Sequence, residues 1–217
     1  VLIGYALHRL SGRPWIVDLR DPMSDDDHPY DYLTRKVYRW IEEKAFRYGS
    51  RFIFTAKSSR TMYLKRYPHL SKAQCLLIPN GYDEEDFQGL AFHRSACGNG
   101  EPVRFVHSGF IYPEGRDPRP FFRALAELKM EGAINSGVLQ IDLRAAGSEK
   151  YYGEIIKNLG IDDMIHLLPP VPYRESLQDC AAADAFILFQ SAKFDHQIPA
   201  KLYEYLRLNK PILALTS

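Results

Sequence analysis

The segment Ala185–Leu215, AFILFQSAKFDHQIPAKLYEYLRLNKPILAL, decides the fold because it contains one complete strand–helix–strand unit. Its first part, Ala185–Phe189, is a short apolar run followed by a polar loop, which is typical of a buried strand. A helix is predicted to open near Pro199, since proline is favourable in the first helical turn. Pro211–Leu215 is predicted as the next strand. Two strands joined through a helix indicate a parallel sheet in an α/β fold.

The same rhythm continues upstream and recurs in the first half of the chain. In the second half, three more strands alternate with three helices: strands Val103–Ser108, Leu139–Arg144 and Met164–Leu168, and helices Pro118–Met130, Glu149–Leu159 and Arg174–Ala182. The first half contains the predicted strands Trp15–Asp18, Arg51–Thr55 and Cys75–Ile78, and the helices Leu2–Leu10, Tyr30–Tyr48 and one that includes Met62 and Leu64. We therefore predict two α/β units, each with a parallel sheet.

The periodicity disappears between Pro79 and Pro102, where turn-forming and charged residues dominate. We interpret residues 81–102 as a linker. It joins a first domain, residues 1–80, to a second domain, residues 103–217.

Composition excludes some classes of function. Lys and Arg number 28 against 27 Asp and Glu, so a strongly basic surface for nucleic acid is not expected. No stretch approaches the roughly 20 apolar residues that cross a bilayer, and no signal-peptide cleavage site follows the N-terminus. Cys75, Cys97 and Cys180 lack metal-ligand spacing, which indicates free thiols in a reducing compartment. These features predict a cytoplasmic protein, and Val1 in place of Met predicts that the chain starts inside a longer one.

The predicted helix after Pro199 has the features of a phosphate-binding site. Its first backbone N–H groups and the positive end of its dipole favour an anion, and Lys201 adds a positive charge. Glu204, one turn later, is suited to accept hydrogen bonds from paired hydroxyls such as those of a ribose. The alternative interpretation is a surface helix with an ordinary charged face.

Four segments resemble family 4 retaining glycosyltransferases, in the order in which that family has them. They are VDLRDP at 17–22, IPNGYDEEDF at 78–87, HSGFIYPEGRDPRPFFRAL at 107–125 and IPAKLYEYLRLNKPILA at 198–214. The resemblance implies a GT-B fold with two Rossmann-like domains, both incomplete because the family's chains extend further at each end. It implies transfer of a hexosyl group from a nucleoside diphosphate sugar to an acceptor, with retention of configuration. It implies no cofactor and no metal.

By this resemblance, the second domain holds the donor. Gly109 and Phe110 are expected beside the diphosphate, and Arg116 is expected to neutralise it. The alternative for Arg116 is a loop arginine paired with Asp117.

The helix start is expected to complete the donor site. Pro199 and Ala200 form its opening, Lys201 is expected on the phosphates and Glu204 on the ribose. Arg116 and Lys201 are the predicted catalytic residues, because the leaving diphosphate needs positive charge.

One position departs from the family pattern. The family has two glutamates separated by seven residues, and Glu204 matches the second. The first falls on His196, which we assign to donor binding, with Asp195 beside it as the alternative contact. The identity of the donor sugar is therefore left open.

The loop after the first strand is the candidate acceptor side. The resemblance sets Asp18, Arg20 and Asp21 near the cleft, and the alternative is that an Asp18–Arg20 pair only shapes the loop. His28 is expected to be exposed, and the run 25–27 is interpreted as solvated aspartates. His107, near the end of a strand, is interpreted as a core histidine, with a cleft position as the alternative.

The sequence leaves several alternative functions open. A GT-B nucleotide-sugar epimerase and a non-catalytic nucleotide- or partner-binding domain fit the same segments. A nicotinamide-dependent dehydrogenase ranks last because no G-x-G-x-x-G follows a predicted strand. The acceptor is expected to be a carbohydrate or a lipid-linked sugar, which would bring the protein to the inner face of a membrane. Tyr30, Tyr32, Tyr38 and Trp40 would then contact lipid, or else pack in the core.

Overall fold

The computed structural model describes residues 1–24, 29, 31–91, 100–113, 115–191, 194 and 196–216. The chain divides into two compact units. The first comprises Val1–Asn80 together with Phe194–Ile198, and the second comprises Gly81–Lys193 together with Pro199–Ser217. The sequence predictions for Asp25–Asp27, His28, Tyr30, Cys97 and Asp195 lie outside the described residues.

The first unit contains a three-stranded parallel sheet with strand order β1-β2-β3. Its elements are α1 (Leu2–Ser11), β1 (Ile16–Leu19), α2 (Tyr32–Tyr48), β2 (Arg51–Phe54), α3 (Lys57–Arg66) and β3 (Cys75–Leu77). Helix α1 ends at Gly12, whose positive φ of 67° gives the left-handed residue that commonly closes a helix. Val17, Phe52 and Phe54 from the sheet pack with Phe46 of α2 and Tyr63 of α3 in one core.

Helix α2 carries several aromatic side chains that are exposed to solvent. Tyr32, Tyr38 and Trp40 are 66%, 36% and 48% exposed, so core packing does not explain these three aromatic residues. The buried positions on α2 are instead Ile41, Glu42, Ala45 and Phe46.

A buried carboxylate holds the loop after β1 in place. Glu42 is fully buried and accepts hydrogen bonds from the Ser24 N–H and hydroxyl, from the Tyr63 and Tyr67 hydroxyls and from Arg66. Tyr63 also accepts from the Met23 N–H at 3.0 Å. Burial, with the Glu42 charge beside it, raises the pKa of the Tyr63 hydroxyl, so this hydroxyl stays a donor. The carboxylate thus joins the loop, α2 and α3 through fully satisfied hydrogen bonds.

We expect Glu42→Ala to lower the free energy of unfolding of the first unit by roughly 3–5 kcal/mol, because it leaves the Arg66 guanidinium and several buried donors without their acceptor. Urea unfolding followed by tryptophan fluorescence measures this directly, since both tryptophans, Trp15 and Trp40, lie in this unit. The exposed neighbour Glu43 supplies the control, and Glu43→Ala should stay within about 0.5 kcal/mol of the wild type. Equal effects of the two changes would contradict a structural role for Glu42.

The second unit contains a five-stranded parallel sheet with strand order β6-β5-β4-β7-β8. Its elements are a 3-10 helix (Glu84–Phe87), β4 (Val103–Ser108), α4 (Arg119–Met130), β5 (Leu139–Arg144), α5 (Glu149–Asn158), β6 (Ile165–Leu168), α6 (Tyr173–Ala182), β7 (Ala185–Phe189), α7 (Ala200–Leu208) and β8 (Ile212–Leu215). All predicted strands and helices are present, with ends within about two residues of the prediction.

Both faces of this sheet are covered, as a parallel sheet requires. Every residue of β7 is buried. Ile187 and Phe189 pack with Phe122 of α4 and Tyr152 of α5 on one face. Phe186 packs on the opposite face in the cluster formed by α6 and α7. The uninterrupted apolar run in the sequence is explained by burial on both sides.

Residues 81–91, which the sequence assigns to the linker, pack against the second unit. Phe87 and Leu90 are buried in the cluster beneath α6 and α7. Arg207 of α7 pairs with Glu84, and Arg174 of α6 donates to the Gln88 carbonyl at 2.8 Å. Two buried apolar side chains and these polar contacts hold residues 81–91 against α6 and α7.

Candidate functional site

The strand order of the second unit creates a crevice between β4 and β7. From β4 the chain moves outward through β5 and β6, and it then returns to add β7 on the other side of β4. The loops that leave β4 and β7 therefore run in opposite directions. In open parallel sheets, ligands bind at the carboxyl ends of strands at such a switch point.

Helix α7 is fixed to this crevice by Tyr205. The Tyr205 ring is fully buried and stacks on Phe186 of β7, with the ring centroids 4.1 Å apart. Its hydroxyl accepts a hydrogen bond from the N–H of Ser108, the last residue of β4, at 3.0 Å. The same side chain thus contacts both strands of the switch point. Pro199 precedes the helix and gives it no side-chain cap, and the Leu202 N–H bonds to the Pro199 carbonyl at 3.0 Å.

Lys201 lies one turn before Tyr205 and contacts β4. Its Nζ is 3.1 Å from Nε2 of His107, and His107 Nδ1 is 2.9 Å from the Ile187 carbonyl. Gly109 follows β4 with a φ of +108°, and a Cβ at that position would lie 3.0 Å from the Lys201 Nζ. The positive φ favours glycine at position 109, and an added Cβ would also force the end of the Lys201 side chain to shift.

Burial lowers the pKa of both groups in this contact. The pKa of Lys201 falls to about 7, first because of desolvation and then because of the positive charge of Arg116. The pKa of His107 falls to about 3, again through desolvation first and then through the Lys201 charge. His107 is fully buried, which agrees with its interpretation as a core histidine, although it also contacts a candidate site residue.

Glu204 is held by a tyrosine that sequence reasoning missed. The Tyr173 hydroxyl, at the start of α6, donates a hydrogen bond to the Glu204 carboxylate at 2.9 Å. Burial raises the pKa of Glu204, while this hydrogen bond and Lys201 act in the opposite direction. The pair joins α6 to α7, and no local sequence pattern connects residues 31 positions apart.

The loop after β4 carries an aromatic pair and Arg116. Phe110 is 61% exposed and stacks on Tyr112, with the ring centroids 6.3 Å apart. The Arg116 guanidinium lies over the Tyr112 ring, 5.5 Å from its centroid. Asp117, the alternative partner of Arg116, is bound by Arg119 through several hydrogen bonds. Arg119 is therefore the arginine that binds Asp117 in this loop.

His196 lies in the other unit of the chain. It belongs to the segment that joins the first unit, where it lines a cavity of about 760 Å³ together with Ile198 and residues of α3. Its Nδ1 is buried and has no hydrogen-bond partner among the described residues. Of the residues assigned to the donor, Gly109, Phe110, Arg116, Pro199, Ala200, Lys201 and Glu204 lie in the second unit.

The candidate acceptor residues lie at the carboxyl end of β1 in the first unit. Asp18, Arg20 and Asp21 are all exposed. Arg20 Nε lies 3.5 Å from the Asp18 carboxylate, which is a weak, solvated pair. The Arg20 carbonyl accepts from the Thr55 hydroxyl at 2.9 Å, which fixes the backbone of the loop.

The described residues form no helix with the length and apolar character needed to cross a membrane. They also contain no cluster of three or more His, Cys, Asp or Glu side chains arranged to hold a metal ion.

Comparison with solved structures identifies the fold. The apo form of WaaB, a lipopolysaccharide outer core galactosyltransferase, matches with a TM-score of 0.64 and 15% identity, over 98% of this chain and 53% of its own. A UDP-forming α,α-trehalose-phosphate synthase from Burkholderia xenovorans, in complex with glucose-6-phosphate, has a TM-score of 0.67 and 11% identity, over 98% and 55%. S. aureus MnaA with UDP has a TM-score of 0.55 and 13% identity, over 99% and 55%.

This chain has the parallel-sheet α/β fold of the GT-B glycosyltransferases. It spans about half the length of the solved structures that it matches. No protein-family model and no curated protein sequence matches it. At 10–15% identity the likeness concerns the fold, and membership of family 4 stays a prediction.

The depressed pKa of Lys201 is directly measurable. After reductive methylation with ¹³C-formaldehyde, we expect one dimethyl-lysine NMR signal to titrate with a midpoint of about 7, where an ordinary lysine titrates near about 10.4. The Lys201→Met variant should lack this signal, which assigns it. A Lys201 signal that titrates with the ordinary midpoint would contradict the desolvated site described above.

Proposed function

We propose that the chain is the donor-binding part of a glycosyltransferase that takes a hexosyl group from a nucleoside diphosphate sugar. The observation that carries this proposal is the convergence of Lys201, Arg116 and the start of α7 at the β4–β7 switch point. A lysine, a guanidinium and the N-terminal end of a helix suit an anionic diphosphate. Glu204 is suited to accept hydrogen bonds from the ribose hydroxyls.

The same groups supply a mechanism for the transfer. As the glycosidic bond to the leaving group breaks, positive charge develops on the sugar ring and negative charge on the diphosphate. Arg116 and Lys201 stabilise that negative charge, and Gly109 allows the backbone to approach it closely. We propose that the reaction retains configuration, that the departing phosphate accepts the acceptor proton, and that no metal is required.

We propose a carbohydrate or lipid-linked sugar as the acceptor, with the loop containing Asp18, Arg20 and Asp21 on its side of the reaction. WaaB is described as a lipopolysaccharide galactosyltransferase, which supports an acceptor of this class. The exposed aromatic residues Tyr32 and Trp40 of α2, with Lys36 and Arg39 beside them, support transient association with a membrane surface. A location in the cytoplasm, at the inner face of the membrane, is part of the same proposal.

Calorimetric titration of the chain with UDP, GDP and ADP tests the donor site. We expect one of the three to bind, and we expect Glu204→Ala and Arg116→Ala each to weaken that binding about tenfold or more, since each removes a hydrogen bond to or from a charged group. Arg119→Ala is the matched control, because Arg119 lies three residues from Arg116 and binds Asp117 instead.

Absence of binding by a folded sample, or equal losses for Arg116→Ala and Arg119→Ala, would contradict the donor-site assignment. Product analysis with a nucleotide sugar then separates the two remaining alternatives. An epimerase converts the donor without an acceptor, and a non-catalytic binding domain leaves it unchanged.

Gly109 offers a second test of the same site. We expect Gly109→Ala to weaken nucleotide binding about tenfold, because the new methyl group meets the Lys201 ammonium at 3.0 Å and displaces it. Gly160→Ala is the control, since Gly160 also has a positive φ but has no atom within 4 Å of an added Cβ. Both changes should reduce stability by about 1–2 kcal/mol, and only the first should reduce affinity. An unchanged affinity in Gly109→Ala would remove Lys201 from the diphosphate site.

A further inference from the structure

The hydrogen bonds of His107 determine its tautomer. A carbonyl oxygen only accepts, so the contact of Nδ1 with the Ile187 carbonyl at 2.9 Å requires a proton on Nδ1. A second proton on Nε2 would leave two cations facing each other in a dry site, because Lys201 Nζ is 3.1 Å away. The Gly109 backbone also contacts the ring and favours its protonation, but burial and the Lys201 charge outweigh both backbone contacts. His107 is therefore neutral, and with its proton on Nδ1 its Nε2 lone pair accepts a hydrogen bond from Lys201.

The surroundings of Lys201 are otherwise poor in compensating charge. His107 faces it from β4, Arg116 from the loop after β4, Cys180 from α6 and Glu204 from its own helix. Arg116 opposes a positive charge on the lysine, and the Glu204 carboxylate favours it. In the part of the chain that the structure describes, the neutral imidazole is the hydrogen-bond acceptor of the Lys201 side chain. An anion at the switch point would supply the missing charge.

We propose that His107 is a positioning residue that fixes the Lys201 amine at the diphosphate site, and that this pair takes up a proton when an anionic nucleotide binds. The inference rests on the proposed function, because it requires a nucleoside diphosphate at this site. It adds to that function a residue which does not touch the substrate and acts through Lys201.

The proton uptake follows from charge balance. With a pKa of about 7, Lys201 is mostly neutral near pH 8 before nucleotide binds. The nucleotide brings negative charge, which favours the ammonium form and raises the pKa of the lysine. One proton then passes from solvent to Nζ, and no covalent bond to the nucleotide forms. Binding should therefore weaken as the pH rises above about 7, by up to about tenfold per pH unit.

Calorimetry in buffers with different ionisation enthalpies counts these protons. The ligand is whichever of UDP, GDP and ADP binds tightest, and its terminal phosphate, with a second pKa of about 6, is fully ionised near pH 8. We expect uptake close to one proton per bound nucleotide near pH 8 in the wild type, and close to none in Lys201→Met. We expect His107→Leu to lose about tenfold in affinity near pH 8 but only about twofold near pH 6, where the lysine is already protonated.

Two variants serve as controls. His107→Gln keeps an acceptor for Lys201 and should restore affinity to within about threefold of the wild type. His166→Gln changes a histidine on β6 that pairs with Asp142, and it should behave as the wild type. If His107→Leu does not fold, His107→Gln and Lys201→Met still test the proposal through their proton counts.

The outcomes separate the inference from the proposed function. Nucleotide binding without proton uptake, or a loss of affinity in His107→Leu that is the same at both pH values, would overturn the inference and leave the donor site standing. Absence of binding of all three nucleotides to the wild type would overturn both.

Discussion

The second unit depends on one side chain, that of Tyr205, to bring its polar residues to the end of the sheet. Its ring stacks on Phe186 of β7, and its hydroxyl accepts from the N–H of Ser108 at the end of β4. Residues three and four positions apart lie on the same face of a helix, so fixing Tyr205 also directs Lys201 toward β4. The adjacent Glu204 lies beside α6, where Tyr173 donates to it. Ordinary core packing thus sets the geometry of the charged residues.

Much of this fold is predictable because its signals are local. The apolar run Ala185–Phe189 shows a strand buried on both faces, and Gly12 shows where α1 ends. The order of strands in the sheet, and with it the β4–β7 crevice, was not predicted, because a βαβ rhythm does not determine which strands are neighbours. Helix boundaries were predicted closely because glycine and proline limit helices on stereochemical grounds.

The contacts of the site were less predictable, because they join residues far apart in the chain. His107 and Lys201 are 94 positions apart, and Tyr173 and Glu204 are 31 apart. Neither pair has a spacing that local periodicity can reveal. Residues 81–91 were assigned to a linker because they lack periodicity, and two apolar residues, Phe87 and Leu90, were enough to anchor them. His196 matches a motif position by its sequence offset, and its assignment to donor binding stays a prediction.

Buried Glu42 and partly buried Lys201 differ in a way that separates structure from function. Glu42 accepts hydrogen bonds from four residues, so its charge is compensated within the first unit. Lys201 contacts a neutral imidazole and lies near a second cation, Arg116, so the fold itself disfavours its charge. A protein under selection for stability alone gains nothing from a lysine in such a place. The lysine makes sense if an anion completes the site, because desolvated positive charge interacts more strongly with a diphosphate than solvated charge does. The same burial that lowers the pKa of Lys201 therefore increases the free energy gained when an anion binds beside it.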